Sequence, residues 1–153
     1  MQTVIWVDAD SCPRLVRTYL LDYSAKLNLK INFVANKNIP CENAHENFSM
    51  IVTDKENQAA DNYIFDNVLE KDIVITRDIL LAERLVEKNI AVINDRGKRW
   101  TSENIKERKS ERDFSLELTI IGLGGKKYNT YSKKEFAEFA NCFDREIHAL
   151  LKK

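Results

Sequence analysis

The chain has 153 residues, of which 44% are hydrophobic and 31% are charged. This length and composition are typical of one globular domain and exclude a chain that is disordered throughout. Lys and Arg together number 24, as do Asp and Glu, so a polyanion would have to bind a local basic patch. The 3 cysteines include no Cys-x-x-Cys pair, which argues against a disulfide framework or a cysteine zinc site. Because no segment resembles a signal peptide or a membrane span, we expect a soluble cytoplasmic protein without a membrane partner.

The first two thirds of the sequence predict strands that alternate with helices. Short apolar, β-branched runs predict strands at residues 3–7, 31–35, 49–53, 73–76 and 90–93. Apolar residues at helical spacing predict helices from Pro13 to about residue 27, over residues 57–69 and over residues 78–88. Residues 36–47 are typical of a loop. This alternation predicts βαβ units and a mostly parallel sheet.

The last third of the sequence predicts a helical arm. Residues 94–100 form a turn-rich basic segment, after which Thr101 or Ser102 is expected to cap a long charged helix that ends near Gly122. A glycine-rich loop follows, and the capping box from Ser132 to Glu135 then opens a helix with an apolar face. We therefore expect a single domain over residues 1–153, with a core of residues 1–94 and a C-terminal arm, residues 101–153, packed on it.

Acidic residues follow three of the predicted strands. They are Asp8 and Asp10 after the first strand, Asp78 beside Thr76 and Arg77 after the fourth, and Asp95 after the fifth. Because ligands bind at the carboxyl ends of parallel strands, we expect several carboxylates to meet at one edge of the sheet. Asp61 shares a helix face with Ile64 and Val68 and is expected to point partly inward. Such carboxylates repel one another unless protons or a cation relieve the repulsion, and their oxygens suit Mg²⁺ or Mn²⁺.

Each acidic residue also has a purely structural interpretation. Asp78 is well placed to cap a helix, and the turn at Asp8 and Asp10 can be closed by its own side chains. Asp61 can pair with a Lys or an Arg, and Asp95 is more typical of a turn residue than of a ligand. None of these interpretations explains why the carboxylates should gather at one edge.

Basic residues are candidates for contacts with phosphate. Arg96, Lys98 and Arg99 follow the fifth strand and are expected near the same edge, although such a segment is also typical of a solvated turn. Lys126 follows the paired glycines of the later loop, which lacks the spacing of a P-loop.

Several motifs occur in the same order as in a known family. They are Val7-Asp8-Ala9-Asp10-Ser11-Cys12-Pro13, Ala60-Asp61-Asn62-Tyr63-Ile64, Ile75-Thr76-Arg77-Asp78-Ile79-Leu80-Leu81-Ala82, Arg96-Gly97 and Thr101-x-x-Asn-Ile105. With Arg112-Asp113-Phe114, Gly124-Gly125 and Phe139-x-x-x-Phe143-Asp144, they span nearly the whole chain and resemble the bacterial YaiI/YqxD family. The activity of that family is not established. The family is similar to PIN domains, which are metal-dependent ribonucleases with a four-acid site.

The resemblance implies a three-layer, PIN-like α/β fold with a mostly parallel central sheet and a helical C-terminal extension. It implies acidic site roles for Asp8, Asp61 and Asp78, Asp10 as a further ligand and Thr76 as a hydroxyl beside the site. The chain departs from the family pattern at two positions. Many members have an acidic residue where this chain has Gln58, and many have a proline where it has Lys126.

Three functions are compatible with these residues. The first is a Mg²⁺- or Mn²⁺-dependent phosphodiesterase acting on RNA or on another phosphodiester substrate. The four aspartates would hold the ion, while flanking phosphates would contact the basic residues Arg96, Lys98, Arg99 and Lys126. The second is a phosphatase of the haloacid dehalogenase type with Asp8 as nucleophile, because Asp8-x-Asp10 and Thr76 resemble its first two motifs. The third is a non-catalytic module that binds RNA or a protein.

Overall fold

The computed structural model describes residues 2–56, 58–120 and 131–152. Within these ranges the chain forms five β-strands, five α-helices and one short 3-10 turn at Ala9–Ser11. The strands are β1 (Val4–Asp8), β2 (Lys30–Ala35), β3 (Phe48–Val52), β4 (Ile73–Ile75) and β5 (Ala91–Ile93). The helices are α1 (Arg14–Leu27), α2 (Ala59–Asn67), α3 (Ile79–Glu87), α4 (Ser102–Ile120) and α5 (Lys133–Leu151).

The strands form one parallel sheet in the order β3-β2-β1-β4-β5. The chain runs outward from β1 to β3, crosses back to the other side of β1 as β4, and then continues outward to β5. The strand order therefore reverses between β1 and β4, and in open α/β sheets the ligand crevice lies at that reversal, beyond the carboxyl ends of the strands. The predicted parallel α/β sheet is confirmed.

Helices cover both faces of the sheet because its buried strands are apolar on both sides. On one face, Ile5 and Val7 of β1 share a core with residues of α1 and α5. On the other face, Trp6 of β1 and Val74 of β4 share a core with residues of α2, α3 and α4. This arrangement confirms the expected three-layer fold.

The helix α5 is fixed at its start and along its apolar face. The Glu135 carboxylate accepts the backbone N–H of Ser132 at 3.0 Å, as the capping box predicts. Tyr19 of α1 meets the rings of Phe139 and Phe143 nearly edge-on, with centroids 6.1 and 6.2 Å away. Edge-to-face aromatic pairs of this kind add about 0.5–1.5 kcal/mol to the gain from burial. The apolar face predicted for this helix therefore lies against α1.

Some predicted boundaries differ from the structure for local reasons. Helix α1 begins at Arg14 and not at the predicted Pro13, because the backbone of Pro13 is extended (ψ 148). The helix predicted over residues 57–69 is shorter, since Gln58 has a left-handed backbone (φ 71) and Val68 is extended. Thr101 caps α4, because its Oγ1 accepts the Asn104 N–H at 3.2 Å. The glycine-rich loop lies outside the described residues.

A membrane span requires a helix that is both long and apolar. None of the described helices meets both requirements.

Candidate active site

A cavity of about 340 Å³ opens at the carboxyl edge of the sheet, beside the reversal of strand order. Its lining comes from the ends of β1 and β4, the loops that follow β2 and β3, and the first turn of α2. The lining residues are Asp8, Asp10, Ser11, Asn36, Lys55, Glu56, Gln58, Ala60, Asp61, Arg77 and Asp78. The structure thus brings together the four aspartates that the sequence predicted as site residues. We refer to this space as the acidic cavity.

Asp8 is the most buried carboxylate of the acidic cavity, with 8% of its surface exposed. The Thr76 hydroxyl donates to Asp8 Oδ2 at 2.9 Å and accepts the backbone N–H of Asp78 at 3.0 Å. The Thr76 carbonyl accepts the Trp100 indole N–H at 3.0 Å, which fixes the end of β4. Burial, followed by the charges of the neighbouring carboxylates, raises the pKa of Asp8 to about 6, although the bond from Thr76 opposes the rise.

Asp78 caps α3, as its structural interpretation predicted. Its Oδ1 accepts the N–H groups of Leu80 at 2.8 Å and Leu81 at 3.2 Å. Its charge also acts on the cavity, because Asp78 is one of the neighbouring charges that raise the pKa of Asp61 on α2. Burial and then the neighbouring Asp78 raise the pKa of Asp61 to about 6. Capping and a role in the acidic cavity are therefore compatible for the same side chain.

The structural interpretations of Asp61 and of the turn at Asp8 and Asp10 fit less well. Among the described residues, no Lys or Arg nitrogen lies within 4.0 Å of the Asp61 carboxylate, and the nearby Arg84 donates instead to Asn62 at 2.9 Å. Asp10 Oδ2 accepts the backbone N–H of Asn36 at 3.0 Å, and Asp8 accepts from Thr76. The turn at residues 8–10 is therefore not closed by its own side chains, and that interpretation was wrong.

The cations of the acidic cavity were not among the predicted phosphate-binding residues. Lys55 and Arg77 line it, and the Arg77 guanidinium forms an ion pair with Asp95. Asp95 is buried by this pairing and does not line the cavity, in agreement with its interpretation as a structural residue. Lys55 and Glu56 follow β3 at the same edge of the sheet. Because ligands bind beyond the carboxyl ends of parallel strands, the residues after the third predicted strand could also have been identified as candidates from the sequence.

The basic turn after β5 faces the C-terminal helix. Arg99 Nη1 lies 2.8 Å from Glu146 Oε2, and Arg96 Nη1 lies 3.8 Å from Glu135 Oε1. Neither of these arginines lines the acidic cavity, and neither does Lys98. Lys126 lies outside the described residues. The structure therefore does not bring Arg96, Lys98 and Arg99 to the acidic residues as the sequence predicted.

The reason is that the turn folds back on itself after the strand. The Asn94 side chain accepts the N–H groups of Arg96 and Lys98, both at 2.9 Å, and Arg99 then pairs with Ile93 in an antiparallel bridge. Two glutamates of α5 then hold the arginines away from the cavity.

The donors of the acidic cavity fit a hard divalent cation chemically. Carboxylate oxygens are the ligands that Mg²⁺ and Mn²⁺ prefer. Burial and then the neighbouring carboxylates raise the pKa values of Asp8 and Asp61, and a bound cation would favour their ionised forms. In the described ranges, however, no three acidic, histidine or cysteine side chains stand ready to hold a metal ion. The carboxylates would have to turn toward a common ion to bind it.

These features define a three-layer α/β protein with a carboxylate-lined cavity at the reversal of strand order. The chain belongs to the YaiI/YqxD family, because the family model described as "Uncharacterized BCR, YaiI/YqxD family" matches residues 6–149. The predicted resemblance is confirmed.

Relatives named UPF0178 protein match nearly the whole chain. The protein from Treponema denticola is 45% identical over 97% of this chain and 94% of its own length. Those from Treponema pallidum and Geobacter metallireducens are 41% and 36% identical over 97% of this chain, which covers 83% and 95% of their lengths. No solved structure is significantly similar to the chain. The comparisons place the protein in an uncharacterised bacterial family and assign it no activity.

Proposed function

We propose that this protein is a Mg²⁺- or Mn²⁺-dependent phosphodiesterase that cleaves RNA at the acidic cavity. The observation that carries the proposal is the convergence of Asp8, Asp61 and Asp78, which come from three separate elements. Perturbed carboxylates in an open cavity are typical of functional sites, since a fold gains no stability from bringing like charges together. The resemblance to PIN domains favours RNA as the substrate.

Asp8, Asp61 and Asp78 would hold the ion, with Asp10 as a further ligand. When bound there, the ion would polarise the phosphate and lower the pKa of a water molecule. Thr76 orients Asp8 by donating a hydrogen bond to its Oδ2. The same bond also fixes the direction of the other carboxylate oxygen, Oδ1. Asp78 uses Oδ1 to cap α3, so its Oδ2 is the oxygen that would reach the cavity.

Two further side chains have roles that follow from their positions. Asp61 lines the cavity and, besides holding the ion, would orient the attacking water. Lys55 lines the same cavity and supplies a positive charge that attracts a phosphate group. Arg77 contributes less, because its charge is shared with Asp95.

The proposal is tested with end-labelled single-stranded RNA in the presence of Mg²⁺ or Mn²⁺. We expect the wild type to cleave it and EDTA to stop the reaction. Asp8→Asn and Asp61→Asn should each lower the rate by about 100-fold, because each removes a negative charge that holds the ion, and the ion would stabilise the transition state. Asp66→Asn is the matched control, since Asp66 is an exposed aspartate on the same helix as Asp61. Full activity of Asp61→Asn would contradict the proposed site.

The two alternative functions predict different results in the same experiment. A phosphatase of the haloacid dehalogenase type would hydrolyse a phosphate monoester, form a covalent phosphoryl group on Asp8 and tolerate Asp61→Asn. A non-catalytic module would bind the RNA and leave it intact with either ion. Either result would replace the proposal.

A further inference from the structure

A second hollow of about 440 Å³ lies between α2 and the strands β1, β2 and β3. Its floor is a row of three side chains, because Trp6, Asn32 and Ser49 are paired partners across the three strands. Its lining residues are Val4, Trp6, Lys30, Asn32, Ser49, Ile51, Tyr63, Asn67, Leu69 and Asp72. We refer to this space as the amide hollow, after Asn32 in its floor.

Asn32 carries an unpaired polar group at a buried position. The residue is only 4% exposed, and among the described residues its Oδ1 is the one buried side-chain nitrogen or oxygen without a hydrogen-bond partner. A buried polar group without a partner destabilises a fold, so its presence beside a hollow points to a partner from outside the chain.

The other buried polar residue of the amide hollow behaves in the opposite way. Asp72 accepts hydrogen bonds from the backbone N–H of Val4 at 2.9 Å, the indole of Trp6 at 3.0 Å and the backbone N–H of Leu69 at 2.9 Å. Its carboxylate is therefore used within the protein, and it fixes the Trp6 ring in the wall. Asn32 is the group left to recognise a ligand.

The walls of the amide hollow define the chemistry of that ligand. Tyr63 is partly exposed in the wall and packs against the buried Trp6, with ring centroids 6.2 Å apart, and aromatic side chains are the groups on which bases stack. An asparagine amide offers a donor and an acceptor side by side, which matches N7 and the N6 amino group of adenine. Lys30 is exposed beside the row and can reach an anionic group of the same ligand. We propose that the amide hollow binds the adenine base of a nucleotide.

The amide hollow is adjacent to the acidic cavity on the same face of the sheet. Asp8 lies two residues beyond Trp6 on β1, so their side chains point to the same face about 7 Å apart along the strand. The helix α2 borders both spaces, with Asp61 lining the first and Tyr63 the second. A base held on Asn32 would therefore belong to a nucleotide next to the phosphate in the acidic cavity. This last step rests on the proposed function, whereas binding of the base does not.

Titration calorimetry with AMP in EDTA tests the binding of the base. We expect AMP to bind the wild type and ribose 5-phosphate, which lacks a base, to bind at least tenfold more weakly. Asn32→Leu should weaken AMP binding at least tenfold and raise the unfolding temperature, because it removes the unpaired amide. Asn38→Leu, at an exposed position outside the hollow, should leave AMP binding unchanged. Tyr63→Leu provides a second test and should also weaken AMP binding.

Three results would overturn the inference: no binding of AMP to the wild type, unchanged binding by Asn32→Leu, or equal affinity for ribose 5-phosphate. The inference and the proposed function fail separately. Binding of AMP that depends on Asn32, in a protein that cleaves no RNA, would support the amide hollow and contradict the nuclease. RNA cleavage by a protein that does not bind AMP would support the nuclease and contradict the amide hollow.

Discussion

Replacing Asp8 by Asn should stabilise the metal-free protein near neutral pH. The substitution removes the charge but keeps an oxygen that can accept the hydrogen bond from Thr76. In the wild type, burial raises the pKa of Asp8 from 3.8 to about 6. Between these two pH values the folded protein holds a proton that the unfolded chain has released, so stability is lost as the pH rises through this window.

The size of the effect follows from the rise in the pKa of Asp8. Each pH unit corresponds to about 1.4 kcal/mol, so above pH 6 the ionised carboxylate costs the folded protein about 3 kcal/mol. At pH 4.5 most of the unfolded chain is ionised at this residue while the folded protein is protonated, and the cost is only about 1 kcal/mol. Asp8→Asn should therefore be more stable than the wild type by about these amounts at the two pH values.

Urea denaturation in EDTA at pH 7.5 and pH 4.5 measures the free energy of unfolding of both proteins. The prediction is a gain for Asp8→Asn that is larger at the higher pH. In a parallel series without EDTA, Mn²⁺ at pH 7.5 should stabilise the wild type and leave the variant unchanged, because the variant lacks one of the proposed ligands. A variant that is less stable than the wild type at pH 7.5, or a gain that is equal at both pH values, would refute the reasoning.

Three further outcomes are expected from other parts of the molecule. Asp72→Asn should lower the free energy of unfolding by about 2–3 kcal/mol. In the variant an amide NH₂ group would face N–H donors that bind the Asp72 carboxylate in the wild type. An unchanged urea midpoint would contradict this prediction. The affinity for Mn²⁺, measured by calorimetry, should fall at least about tenfold from pH 7 to pH 5. The reason is that at the lower pH the ion must displace protons from Asp8 and Asp61. An affinity independent of pH would show that these groups do not bind the ion. Gly97→Ala should lower the unfolding temperature by an amount equivalent to about 3 kcal/mol. The reason is that Gly97 has φ 86 and that a Cβ there would lie 2.4 Å from the Glu138 carbonyl oxygen. A thermal midpoint like that of the wild type would contradict the turn geometry.

The sequence predicted the fold and the acidic residues because both depend on local patterns. Runs of β-branched residues marked each strand, and the order of elements then placed the strand ends at one edge. Asp8, Thr76 and Asp78 meet because they follow β1 and β4, which are neighbours in the sheet. Asp61 was predicted from the inward face of its helix, which is also a local property.

The partners of the basic turn could not be predicted in the same way. Arg99 contacts Glu146, which is 47 residues away in the sequence, and such a pair depends on where α5 packs. The unpaired amide of Asn32 could not be predicted from the sequence either. Its position within a run of apolar strand residues is visible, but whether the chain supplies a partner depends on the packing of α2. Both the position of the basic turn and the unpaired amide of Asn32 therefore depend on long-range contacts, which local sequence patterns do not predict.

The position of α5 in the chain has a consequence for biosynthesis. This helix covers one face of the sheet together with α1, yet it follows all five described strands in chain order. During synthesis, Ile5 and Phe33 on that face can therefore pack against α1 but not yet against α5 until that helix has emerged. A nascent chain with an exposed apolar sheet surface is prone to aggregation, so the completion of this core is a late and vulnerable step in synthesis.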